Sequence, residues 1–137
     1  MQKVLTLGLK ELPILVHTLK DLVKEDCIIL LRGDLASGKT TFVKEYVKSI
    51  GIKEEVTSPT FLLQSIYDDR VFHYDVYNKS LEEFISLGLL EEFEKEGLHF
   101  VEWGDEKLEK ILKEYGFNTM SINILKSNDK RQYTINA

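Results

Sequence analysis

"LLRGDLASGKTTF", Leu30 to Phe42, passes from apolar residues through a loop of small residues into Lys-Thr-Thr. Upstream, the apolar run extends back to Cys27, the pattern of a strand buried on both faces. Downstream, Phe42, Val43, Tyr46, Val47 and Ile50 recur at helical spacing, and Gly51 stands where such a helix would stop. Periodicity alone therefore predicts strand, glycine-bearing turn and helix. The turn also fits G-x-x-x-x-G-K-[ST], with Gly33, Gly38, Lys39 and Thr40. Glycines let the backbone turn with positive φ and approach an anion closely. Successive amide N–H groups and a helix N-terminus then face phosphate oxygens. On this reading Gly33, Asp34, Leu35, Ala36, Ser37, Gly38, Lys39, Thr40 and Thr41 form a nucleotide-binding loop. Lys39 reaches the outer phosphates, and the Thr40 hydroxyl offers oxygen to Mg2+, a hard cation.

A magnesium nucleotide also needs a carboxylate at the end of a neighbouring apolar strand. Two residues qualify: Glu102 closes "LHFVE" and Asp75 lies near the end of "VFHYDVY". Alternation puts His73, Asp75 and Tyr77 on one face of the latter strand, with Phe72, Tyr74 and Val76 on the other. Which carboxylate holds metal and which positions water stays open at the level of sequence. Trp103 follows Glu102 and either packs at the strand end or lines the nucleotide site. "TSPTF" offers the hydroxyls of Thr57, Ser58 and Thr60 around a stiffening Pro59. It reads equally as a Ser-Pro turn or as a switch segment sensing the γ-phosphate.

The remaining pattern is α/β. "KVLTL" fits a short strand, and Leu12, Leu15, Val16, Leu19, Leu22 and Val23 fit a helix. "TFLLQSIY" and "VFHYDVY" flank Asp68, Asp69 and Arg70 as an antiparallel hairpin. Leu81, Phe84, Ile85 and Leu89 predict a helix broken near Gly88. Leu108, Ile111, Leu112 and Tyr115 share a helical face that ends at Gly116. "TMSINIL" and "QYTIN" read as a closing hairpin. His17 is expected half-buried on its helix, His99 satisfied in the core, and His73 near the site.

The whole-chain properties narrow the options. With 137 residues, one domain over 1–137 is expected. The chain is 43% hydrophobic and 30% charged, as in ordinary globular proteins. No apolar run approaches membrane-span length, and the N-terminus lacks the features of a signal peptide. Cys27 is the single cysteine, which excludes an internal disulfide and fits a cytoplasmic location. A net charge of −5 without a Lys/Arg block argues against direct, high-affinity nucleic-acid binding. Arg32, Arg70 and Arg131 are the only arginines.

Four motifs in this order, "GDLASGKTT" (Gly33–Thr41), "TSPTF" (Thr57–Phe61), "HYDVYN" (His73–Asn78) and "VEWGD" (Val101–Asp105), resemble the bacterial TsaE (YjeE) family. The resemblance covers nearly the whole chain. It implies a P-loop NTPase-like α/β sandwich with a mixed, partly antiparallel central sheet flanked by helices. It also implies a weak ATPase in the modification of tRNA adenosine 37 to threonylcarbamoyladenosine. Such a protein supports the turnover of a TsaB–TsaD heterodimer and meets tRNA only through these partners. Carried over by motif, Lys39 binds phosphate, and Thr40 and Glu102 hold Mg2+. Asp75 becomes catalytic or water-positioning, Thr60 a switch residue, and Trp103 a neighbour of the bound ATP or ADP. This chain departs from the family at Asn78, where arginine is usual, and at Leu12 or Pro13, where the family often has a threonine near the adenine. A small-metabolite kinase is the alternative from the residues alone, but such an enzyme usually needs an arginine-bearing lid, for which this chain has little length. A nucleotide-gated binding module, with bound ATP itself as the signal, is the third reading.

Overall fold

The computed structural model describes residues 1–23, 26–34, 37–57 and 64–137. Its strands are β1 (Gln2–Leu7), β2 (Cys27–Arg32), β3 (Gln64–Tyr67), β4 (Val71–Asp75), β5 (Leu98–Glu102), β6 (Thr119–Ser127) and β7 (Lys130–Asn136). Its helices are α1 (Leu12–Leu22), α2 (Lys39–Ser49), α3 (Leu81–Ser86), α4 (Leu89–Glu92) and α5 (Glu106–Glu114), and a 3-10 turn spans Leu9–Glu11. The strands form one sheet in the order β1-β7-β6-β2-β5-β4-β3. The four central strands, β6, β2, β5 and β4, are parallel. The flanks, β1–β7, β7–β6 and β4–β3, are antiparallel.

The all-apolar run of β2 has a two-sided explanation. Cys27, Ile29 and Leu31 pack with Leu15, Leu19, Phe42 and Val43 of α1 and α2. Ile28 and Leu30 pack on the opposite face with Phe84, Leu89, Leu108 and Leu112 of α3, α4 and α5. Helices thus cover both faces, and burial of each such side chain contributes about 1.5–3 kcal/mol. Burial pushes the Cys27 thiol up to about 11, so it behaves as a small core hydrophobe.

Local chemistry sets the helix ends. Asp105 caps α5 by accepting from the Leu108 N–H at 2.8 Å. Ser80 and Glu83 form a capping box at the start of α3. Gly88 separates α3 from α4, so the break expected there is present.

Several expectations need correction. Strand β4 stops at Asp75, so Tyr77 does not continue its face. Ile85 and Tyr115 do not join the core: they are 43% and 62% exposed. Helix α3 has only six residues and buries Phe84, while Tyr115 is the C-cap of α5, one residue past its end. His17 is exposed rather than half-buried and lies 3.5 Å from Asp21 one turn on. His99 is a satisfied core residue, with ring nitrogens 2.7 Å from the Tyr74 hydroxyl and 2.8 Å from the Lys95 carbonyl. Of the first strand of the hairpin, residues 60–63 lie outside the described residues.

Candidate phosphate-binding site

The parallel strands β2, β5 and β4 run side by side and end together. Leu31 of β2 pairs with Glu102, and Glu102 pairs with Asp75 of β4. Both candidate carboxylates therefore stand beside the loop that leaves β2. Carboxyl ends of parallel strands are where open α/β sheets bind ligands.

Each glycine of the loop has its own reason. Gly33 has φ of 154°, and a Cβ there would lie 2.6 Å from both the Ile124 carbonyl and the Ser37 hydroxyl. Gly38 has φ of 111° with open space around it, so its requirement is conformational. Helix α2 begins at Lys39, which aims the unpaired N–H groups of its first turn into the cleft.

Lys39 is almost fully buried, at 4% exposed. Its Nζ donates to the carbonyls of Gly33 at 2.6 Å and Asp34 at 3.0 Å. The same ammonium lies 3.8 Å from the centroid of the Trp103 ring. Burial pushes the Lys39 pKa below its ordinary value, and the nearby carboxylates Glu102, Asp75 and Asp34 offset part of that.

Thr40 Oγ1 donates to Glu102 Oε2 at 2.8 Å. The same carboxylate oxygen lies 2.5 Å from His73 Nε2. Glu102 is 3% exposed. Asp75 is half-buried, lines the same cleft, and accepts the Tyr77 N–H at 3.0 Å. A hydroxyl and a carboxylate in contact form an all-oxygen donor set suited to a hard cation. That combination fits Mg2+, which takes one or two protein oxygens and completes its shell with phosphate and water.

Trp103 has φ of 70°, a left-handed conformation rare for an aromatic residue. Its N–H donates to Leu31 O at 2.9 Å, which ties it to β2, and its ring lies 4.8 Å from that of Tyr77. Arg32 braces the next residues: Nε donates to Gly104 O at 2.6 Å and Nη2 to Glu109 at 2.7 Å.

The cleft has a volume of about 700 Å3. It brings together Ser37, Gly38, Lys39, Thr40, Thr41, Asp75, Glu102 and Trp103. Gly33 and Asp34 join through their carbonyls on Lys39. Leu35, Ala36, Ser58, Pro59 and Thr60 lie outside the described residues. Thr57 is exposed, and its backbone partners Tyr67. Sequence reasoning missed the far wall, made by Leu7, Leu9, Asp129, Arg131 and Tyr133. Arg131 Nε donates to Ser37 O at 3.1 Å and so touches the loop directly. That wall exists because β7 lies between β1 and β6, a long-range pairing that no local pattern announces.

A glycine loop between a buried parallel strand and a helix, at the carboxyl ends of the central strands of a mixed seven-stranded sheet, defines a P-loop NTPase fold. The crystal structure of YdiB from Bacillus subtilis is similar, with a TM-score of 0.69 at 27% identity, covering all of this chain and 87% of YdiB. The family model described as threonylcarbamoyl adenosine biosynthesis protein TsaE matches residues 8–133, and the chain belongs to that family. The tRNA threonylcarbamoyladenosine biosynthesis protein TsaE of Treponema pallidum is 40% identical over 117 residues, 83% of this chain and 84% of the relative. Its namesake in Bacillus subtilis is 38% identical over 100 residues, 65% of this chain and 63% of the relative.

Proposed function

We propose that this member of the TsaE family binds Mg2+–ATP in the cleft and hydrolyses it slowly. We further propose that this activity supports repeated turnover of a TsaB–TsaD heterodimer in tRNA threonylcarbamoyladenosine formation. The observation that carries the nucleotide reading is the 2.8 Å contact between Thr40 and Glu102 at the first turn of α2. An incoming phosphate meets the N–H groups of that turn, and Lys39 exchanges its loop carbonyls for phosphate oxygens. Thr40 and Glu102 would hold Mg2+, which when bound neutralises charge developing on the phosphates.

The two carboxylates take different roles in this reading. Glu102 is buried, with one oxygen already engaged by Thr40 and His73, so it is the metal-side group. Asp75 is more accessible and belongs to the next strand, so it positions the attacking water and accepts its proton. Thr57 to Thr60 form the switch segment. Trp103, held across the phosphate end of the cleft, reports on nucleotide. The net charge of −5 disfavours direct contact with nucleic acid, so tRNA is reached through partner proteins, in the cytoplasm. No helix among the described residues is long and apolar enough to cross a membrane.

Affinity capture from cell extract with and without ATP tests the reading. Nucleotide-dependent recovery of TsaB and TsaD is expected. Robust phosphorylation of a small metabolite, without that recovery, would favour a kinase instead.

A further inference from the structure

His73 lies in the middle of β4 with no exposed surface. Phe72 and Tyr74 point to the opposite face and pack with α3–α5. His73 Nε2 lies 2.5 Å from Glu102 Oε2, the oxygen that also accepts the Thr40 hydroxyl. Its other ring nitrogen, Nδ1, has no hydrogen-bond partner among the described residues. The network therefore assigns the proton to Nε2, where it meets a carboxylate oxygen. The opposite tautomer would set a lone pair against that oxygen and bury an unsatisfied N–H.

An apolar ring would fill the same space without burying an unpaired polar atom. What the imidazole adds is one donor aimed at one oxygen. From this geometry we infer that His73 is a positioning residue: it fixes the Glu102 carboxylate for the divalent cation that accompanies the nucleotide. The inference rests on the reading of Glu102 as a cation ligand given above. Two contacts on Oε2 restrain rotation of the carboxylate about its last torsion. Once a cation engages the Thr40 hydroxyl, His73 is the described side chain that still holds Glu102. Partners of this kind orient metal ligands, and their loss typically lowers metal affinity about 10- to 100-fold.

The test is calorimetric titration of ADP into the full chain, with Mg2+ and with EDTA. Wild type is compared with His73→Phe, His73→Gln and Glu102→Gln. His73→Phe should keep metal-free ADP affinity within about twofold and lose about tenfold or more of the Mg2+-linked gain. His73→Gln places an amide N–H near the position of Nε2 and should recover most of that gain. The inference is overturned if His73→Phe keeps the full gain, or if His73→Gln loses as much as His73→Phe, which would mark a space-filling role. Where His73→Phe does not fold, His73→Gln alone decides: a folded Gln variant without the gain overturns the inference, and one that keeps it supports it. Glu102→Gln separates the two levels. If it retains the Mg2+-linked gain, the ligand reading itself fails, whatever the His73 variants do.

Discussion

The Lys39 ammonium lies 3.8 Å from the centroid of the Trp103 ring while donating to the carbonyls of Gly33 and Asp34. A cation over an indole face is a favourable contact, and more so when desolvated. A phosphate that draws Lys39 off the loop carbonyls must compete with that contact as well. Trp103 is the only tryptophan of the chain, so its fluorescence reports on this one place. ATP or ADP binding should change its emission, and Lys39→Ala should abolish both the change and the binding. An emission spectrum unaltered at saturating nucleotide would separate Trp103 from the site.

Glu102→Ala should weaken Mg2+-dependent nucleotide binding about tenfold or more, with metal-free binding little changed. The contrast matters because Thr40 and His73 both lean on Glu102. Equal loss with and without Mg2+ would point to a disturbed loop rather than a lost ligand. Equilibrium binding in Mg2+ and in EDTA makes the comparison.

Asp75→Asn should leave ATP affinity within a few-fold of wild type and lower hydrolysis by about 100-fold or more, the range for a lost general base. Its neighbour across the β4–β5 ladder, Glu102, would then still hold the metal side. Turnover unaffected by the substitution would remove Asp75 from the chemistry and return the water-positioning role to Glu102.

The Arg32–Glu109 pair joins the end of β2 to α5, with both side chains under one-fifth exposed. Burial alone would raise the Glu109 carboxyl, but hydrogen bonds and charge from Lys113 and Arg32 outweigh it and hold the group below its ordinary 4.5. The stability from this pair is therefore present above about pH 4.5. It is lost as pH falls through that value toward the depressed folded pKa. Glu109→Gln should cost about 1–3 kcal/mol at pH 7 by urea unfolding. The difference from wild type should shrink below pH 4. A gap that stays constant with pH would mean the pair acts through packing alone.

Much of this fold could be read locally. The run Cys27–Leu31 has the pattern of a strand covered on both faces, and Gly33, Gly38, Lys39 and Thr40 mark the turn that follows it. The break at Gly88 was equally visible, because glycine is a poor helix former and readily takes the left-handed conformation, φ 75°, that it has here. Ile85 and Tyr115 misled because apolar residues in short helices, or at helix ends, match the spacing without reaching the core. The far wall of the cleft was illegible for a different reason. Leu7, Arg131 and Tyr133 meet the loop only after β1, β7 and β6 have paired across the length of the chain. His73 showed only its face of the strand; its carboxylate partner, Glu102, is twenty-nine residues away.

We propose that nucleotide bound at this loop drives a tRNA-modifying machine rather than a phosphotransfer of its own. Multiple-turnover formation of threonylcarbamoyladenosine on tRNA by purified TsaB–TsaD measures it directly. Wild-type chain with ATP should sustain repeated turnover, and the Lys39→Ala chain should leave the reaction at its first round. Equal turnover with both chains, or none with either, would contradict the account.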